Sequence, residues 1–272
     1  LQDEAMSVHL VNTAAVKQHE GRKHAGELRD ARHLAHLLRL GILPTGHIYP
    51  REERAVRDLL RKRGQLVRQR SAQILSMHNL VARNLGANAS GNDIKRWTSE
   101  SIEVMALLDE QKLALQANLA VMRCLDTQIS ALEKSILARV KLREDYRSLR
   151  TVSGIGEVLA LTIALETGDI GRFAGPGNFA SYARTVDSRR ESNGKKKGEG
   201  NAKCGNKHLA WAFIEAAHFA VRYDATIKRW YQKKSAHSLA VVAIKAVAHK
   251  LARACYHVIK SGQPFDAAKA FG

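Results

Sequence analysis

Cysteine, proline and aromatic residues are scarce in this 272-residue sequence, which has three Cys, four Pro and only 6% Phe, Trp and Tyr. Cys124, Cys204 and Cys255 stand far apart and show no metal-ligand spacing, so neither a disulfide framework nor a zinc site is indicated and a reducing compartment is the simple inference. Long hydrophobic runs are missing too. LALTIAL at 159–165 and LAVVAI at 239–244 fall far short of the roughly 18 apolar residues of a spanning helix, and the opening LQDEAM carries no secretory pattern. A soluble, cytoplasmic chain without a membrane partner is expected. Acidic residues are also in short supply: 26 Asp and Glu face 44 Lys and Arg, a formal charge of +18 with a pI near 10.1. A field of that size favours polyanions, and nucleic acid is the first partner to consider. Of the twelve histidines, His19, His24, His33 and His36 lie among Arg and Lys, and none forms an H-E-x-x-H pattern. They read as solvated or nucleic-acid-facing groups rather than zinc ligands.

What is present divides the chain into three textures. In residues 1–50, SVHLVNTAAV alternates apolar and polar side chains early and carries β-branched residues, like a strand entering a helix, and GELRDARHLAHLLRLG reads as a short amphipathic helix with Leu28, Leu34, Leu37 and Leu38 on one side and Gly41 as its stop. A lone strand and helix do not make a domain, so further sequence of this unit is expected upstream. Residues 51–148 follow a linker bracketed by Pro44 and Pro50. Val56, Leu60, Val67, Ile74 and Val81 recur at four and then seven residues through a basic helix ending near Leu85. A second helix is expected from about Asp93 towards Arg147, with Leu115, Leu119, Met122, Leu125, Ile129, Leu132, Ile136 and Val140 on its stripe. The pair predicts an antiparallel hairpin or coiled coil, joined through GANASGND. Residues 149–272 give shorter, more apolar helices around a glycine-lysine segment. The fold class is therefore mainly α.

Three constellations could carry chemistry. VSGIGEV has the shape of a helix-hairpin-helix turn, in which Gly154 and Gly156 let backbone amides approach a phosphate at a helix N-terminus; the plainer reading is an ordinary tight turn between helices. Glu27 and Asp30 sit three apart, so their carboxylates share a helix face. Paired oxygens of that kind can contribute to a Mg²⁺ site, although on pattern alone a solvated face is the commoner use. ESNGKKKGEGNAKCGN, at 191–206, holds four glycines, four lysines and one serine in sixteen residues. It cannot bury a face of its own and reads as a solvated loop or one that orders against an anion. Within it Ser192 is surrounded by Arg189, Arg190, Lys195, Lys196, Lys197 and Lys203. A hydroxyl so placed faces phosphate, either as a nucleophile or as a simple hydrogen-bond donor.

Taken in order, HLVNTAAVKQHEGRKHAGELRDARHLAHLLRLGILP, LRTVSGIGEVLALTIALETGDIGRF and FASYARTVDSRRESNGKKKGEGNAKCGNKHLAWAFIEAA resemble the transposases of the bacterial insertion-sequence family one-ten, in particular its one-one-one-one subgroup. The resemblance runs over essentially the whole chain. It implies an RNase H-like α/β domain bearing an Asp-Glu-Asp-Asp set, here represented by its C-terminal remnant in residues 1–50, a helical region, and a serine-bearing C-terminal domain. It further implies DNA recombination, Mg²⁺ on the acidic group, a structured guide RNA and serine attack on the DNA backbone, while the seven-residue apolar steps of the long helices point to pairing between subunits of a homo-oligomer. The last two acidic positions map onto Glu27 and Asp30, the first being Glu where the family has Asp. The strands expected to carry the first two precede Leu1, so the chain reads as an N-terminally incomplete copy. Ser192 occupies the place of the family serine before KCGN, with Ser188 as second choice. Two readings compete with a transposase: a non-catalytic helical nucleic-acid-binding protein, and a coiled-coil protein whose charge is incidental.

Overall fold

The computed structural model describes residues 6–16, 26–187, 190–198 and 204–272, with the backbone alone at 14, 190–192 and 196. Contacts divide the chain into two compact units, 1–51 and 52–272.

In the first unit, α1 (Thr13–Val16) is a single turn and α2 (Glu27–Arg39) is the expected amphipathic helix, followed by Gly41 at φ +70°. Leu37 is its buried residue, whereas Leu28 and Leu38 are exposed. The strand expected in SVHLV is reduced to one antiparallel bridge, Val11 opposite Thr45, flanked by Asn12 N–H to Pro44 O at 2.9 Å and Gly46 N–H to Leu10 O at 2.6 Å. A strand needs a partner along its length to satisfy its amides, and the prolines at 44 and 50 leave this partner only a few residues long.

The second unit opens with α3 (Arg51–Leu85), which begins and ends where the apolar stripe predicted. The next long helix starts later than the sequence suggested. Ser90 and Thr98 each accept from the third residue of a short helix and close a capping box, making α4 (Gly91–Ile94) and α5 (Ser99–Glu103) before α6 (Asp109–Val140). These turns bury Ile94 and Ile102 against Met77, Val81, Leu115, Leu119 and Met122, so hydrophobic burial folds the segment back instead of extending the helix. Polar rungs fix α3 and α6 as antiparallel: Arg63 to Glu133 at 2.8 Å, Arg70 to Asp126 at 2.6 Å, Ser76 to Asn118 at 3.2 Å and Asn84 to Gln111 at 2.9 Å. As the position on α3 rises, its partner on α6 falls in step.

Beyond α6 a second core forms around α8. It is flanked by α7 (Glu144–Leu149), α8 itself (Glu157–Thr167), α9 (Pro176–Tyr182), a two-stranded sheet of β1 (Arg190–Ser192) and β2 (Lys195–Gly198), then α10 (Lys207–Tyr223), α11 (Ala225–Ser235), α12 (Ala240–Ser261) and α13 (Ala267–Phe271). Every residue of α8 from Leu159 to Thr167 is buried, as suits a helix apolar on all sides. Phe179, Phe213, Leu209, Val247 and Leu251 close around it.

Candidate nucleic-acid interface

The glycine-lysine segment is a hairpin where a loop was expected. Ser192 pairs in register with Lys195 and Glu191 with Lys196, with an irregularity before Arg190 meets Gly198. The turn is Asn193-Gly194, at φ +57° and +70°. Two consecutive left-handed residues are what a tight hairpin turn requires, and Asn-Gly is the pair that adopts them most readily. That dipeptide was the signal for the hairpin in the sequence. Lys195 and Lys197 are exposed. For Ser192, Arg190 and Lys196 the backbone position is defined; Ser188, Arg189 and Lys203 lie outside the described residues.

After the hairpin, the KCGN motif returns the chain to the core through Asn206. Its main-chain amide donates to Tyr182 O at 2.6 Å, and its side-chain oxygen caps α10 by accepting from His208 N at 2.8 Å and Leu209 N at 3.2 Å. Gly205 before it has φ +90°, and a Cβ there would stand 2.5 Å from Tyr182 O, so only glycine permits the approach. The side-chain nitrogen of Asn206 donates to Glu166 Oε2 at 2.7 Å.

Glu166 is the buried charge of this region, with no exposed surface. Arg61 of α3 meets it with both arms of its guanidinium, Nε to Oε1 and Nη2 to Oε2, each at 2.7 Å. Burial pushes the Glu166 carboxyl up, but the hydrogen bonds from Arg61 and Asn206 and the Arg61 charge outweigh it and hold the group below its ordinary value. One carboxylate thus ties α8, the KCGN turn and the long helix α3 together. Glu166, Arg61 and Asn206 escaped the sequence reading. A lone acid inside LALTIALETG was the available signal, because an unpaired carboxylate is not tolerated in an apolar helix.

Around this clamp opens a cavity of about 520 Å³ lined by Arg61, Gly64, Val67 and Arg68 of α3, Val158, Thr162 and Glu166 of α8, and Lys207, His208 and Trp211 of α10. His208 is held below its ordinary value, first by burial and then by the charges of Arg61, Lys207 and Arg68, with Glu166 pulling the other way.

At the GIG turn, Gly154 has φ +85°, and an added Cβ would lie 2.3 Å from Ala216 O and 2.5 Å from Ala220 N of α10. Its lack of a side chain serves the packing of α10, and Ser153 Oγ donating to Asp224 Oδ2 at 2.6 Å seals the same junction. Gly156 faces open space at the N-cap of α8, which has no side-chain cap. A side chain at Gly156 would meet no neighbour, whereas one at Gly154 would collide with α10.

Glu27 and Asp30 both lie exposed in the first turn of α2, on one face as expected. Among the described residues no three His, Cys, Asp or Glu side chains gather into a possible metal site. Two carboxylates on one turn do not by themselves fit the near-octahedral shell of Mg²⁺.

A basic helical body that carries a lysine hairpin and an arginine-lined cavity is chemically a surface for polyanions. Residues 146–232 match the family model described as Transposase IS116/IS110/IS902 family. The chain is 27% identical over 229 residues to a Sinorhizobium fredii protein, y4qE, described as a transposase; the match covers 83% of this chain and 56% of that protein. It is 28% identical over 213 residues to a Pseudomonas aeruginosa protein described as a family 20 transposase, covering 74% and 62%. With the transposase for insertion sequence element IS1111A of Coxiella burnetii it shares 25% over 218 residues, covering 78% and 57%. The chain is thus similar to insertion-sequence transposases and spans about three-fifths of the length of these relatives. No helix among the described residues is long and apolar enough to cross a membrane.

Proposed function

We propose that this chain is the helical and serine-bearing part of an insertion-sequence transposase that binds DNA together with a structured guide RNA. The observation that carries the reading is the matched segment 146–232, which contains the GIG turn, Glu166, the Ser192 hairpin and KCGN within one stretch. In this reading Ser192 Oγ attacks a backbone phosphorus. A serine–phosphate ester forms, the phosphorus–oxygen bond to one sugar breaks, and that sugar leaves as a hydroxyl carrying the proton. Lys195, Lys196 and Lys197 on the returning strand offset the charge of the phosphate under attack, with Arg189, Arg190 and Lys203 holding the flanking strand. Gly156 offers amides to a phosphate at the start of α8.

Residues 1–50 are read as part of an RNase H-like domain, with Glu27 and Asp30 contributing to Mg²⁺. Since two carboxylates do not complete such a shell, no step is routed through the ion. Long helices exposed as α3 and α6 are would also pair subunits of a homo-oligomer.

The test is strand cleavage in the full-length transposase with the Ser192→Ala substitution. Loss of cleavage and of the covalent protein–DNA species, with DNA binding retained, supports the reading. Cleavage at the parental rate overturns the assignment and moves attention to Ser188. Binding without any cleavage or covalent species in the parental protein favours the alternative, a non-catalytic helical nucleic-acid-binding protein.

A further inference from the structure

The cavity between α3, α8 and α10 has a charge balance that the serine chemistry does not use. Arg61 is neutralised by Glu166, whose carboxylate already accepts three bonds at 2.7 Å. Arg63 at the rim is neutralised by Glu133 at 2.6 Å. Arg68 and Lys207, both exposed, have no ion pair among the described residues. The cavity therefore carries an excess of two positive charges that the protein does not answer. The same cavity is lined by Trp211 of α10, 46% exposed, and by the apolar side chains of Leu60, Val67 and Val158. A large indole left half in water beside uncompensated cations is a stacking platform without its stack.

We propose that this cavity is a single-nucleotide pocket: it takes one unstacked nucleotide of a single strand, base against Trp211 and the flanking phosphates on Arg68 and Lys207. This rests on the nucleic-acid reading above and adds the strand type and the place. Three features favour a single strand over a duplex. The volume of about 520 Å³ lies within the range of small-ligand pockets. The opening lies between helices, where a base already stacked and paired in a duplex cannot enter. The aromatic lies beside the cations, so base and backbone are met at neighbouring points, as single-strand binders do. His208, on the first turn of α10 between Lys207 and Trp211, adds a ring nitrogen with no hydrogen bond among the described residues, available to a base edge or a phosphate oxygen.

The experiment is fluorescence anisotropy of the full chain with labelled oligo-dT, oligo-U, an abasic oligodeoxynucleotide and a duplex of equal length. Trp211→Ala should weaken binding of base-bearing single strands by about 10-fold or more, through loss of one stack. It should leave the abasic oligomer and the duplex within 2-fold. Arg68→Gln and Lys207→Gln should weaken all single strands, abasic included. Should Trp211→Ala fold poorly, quenching of the native tryptophan emission by oligo-dT or oligo-U, present in the parent and lost in Trp211→Phe, reads the same contact. Comparison of oligo-dT with oligo-U says whether the natural occupant is DNA or RNA, and a Trp211-dependent response to either supports the pocket. Nucleic-acid binding that ignores Trp211, Arg68 and Lys207 overturns the pocket while leaving the transposase reading standing. Failure to bind any oligomer removes both.

Discussion

Exchanging Arg61 for methionine removes one partner of the buried clamp while keeping an unbranched chain of similar reach. Glu166 would then keep its bond from Asn206 and lose two at 2.7 Å. Breaking a buried ion pair from one side costs about 3–5 kcal/mol, since the remaining charge is left uncompensated. Here the Arg61 side chain is 37% exposed and that of Glu166 1%, so water reaches part of what arginine vacates and the low end, about 3 kcal/mol, applies. At about 2–4 °C per kcal/mol for a domain of this size, the melting temperature should fall by roughly 6–12 °C. Glu166→Gln should cost less, because the half-open guanidinium it strands can hydrate. Arg61→Met combined with Glu166→Met should recover much of the loss, since two apolar chains replace a pair whose desolvation offset its attraction.

The same clamp sets an acid limit. Glu166 is held below its ordinary value of 4.5 in the folded chain, so it binds its proton more readily when unfolded. Its contribution is therefore fully present above pH 4.5 and is lost as the pH falls through the depressed folded value. Urea unfolding at pH 7 and at stepwise lower pH should show the parent losing stability in that window. A melting temperature for Arg61→Met within 2 °C of the parent would refute the reasoning, and so would an Arg61→Met loss equal to that of the double variant.

Gly154→Ala should destabilise by more than about 3 kcal/mol in urea titration, since its Cβ would fall 2.3 Å from Ala216 O at a φ of +85°. Gly156→Ala, facing open space but at the N-cap of α8 where glycine is preferred to alanine, should cost only about 0.5–1 kcal/mol. Asn206→Ala strips the α10 cap and one Glu166 bond, and a loss of about 2–3 kcal/mol by the same titration is expected. Iodoacetamide with mass spectrometry should modify the exposed Cys124 and Cys204 in the native chain. Cys255, fully buried with its thiol pushed well up by burial, should react only after unfolding.

The parts of this architecture that were legible in the sequence are those set by repetition. Seven-residue apolar steps gave α3 its ends, and the leucines and isoleucines of 115–140 gave α6 its buried face. The misreadings came where short polar residues decide. Ser90 looked like linker and Thr98 like the inside of a helix starting near Asp93, yet each nucleates a capped turn that buries an isoleucine and delays α6 to Asp109. Asn193-Gly194 was counted as loop composition, when its two left-handed positions make a hairpin. Gly154 was read either as a phosphate contact or as part of a plain turn, and its seat against α10 was visible in neither reading. Nor was the clamp readable, because Arg61 and Glu166 stand 105 residues apart and nothing local pairs them.

That long-range pairing has a consequence for how the serine segment is held. The hairpin is tied at both ends to helical core: before it, Lys245 pairs with Asp187; after it, Asn206 reaches Glu166. The two strands themselves are three and four residues long, too short to be stable alone. Their position is therefore set by the anchors, and the firmer anchor is the buried one, where Asn206 donates to a carboxylate already gripped by α3. A movement of the long helix that disturbs Arg61 is passed to Asn206 of KCGN, whose side chain shares the Glu166 carboxylate and which follows Ser192 by fourteen residues. If Ser192 is the nucleophile, Arg61→Met at a temperature where the chain stays folded should lower cleavage more than binding, while Lys197→Ala should weaken binding and reduce its salt dependence. Equal losses of cleavage and binding in Arg61→Met would mean that the clamp stabilises the fold without aligning the serine.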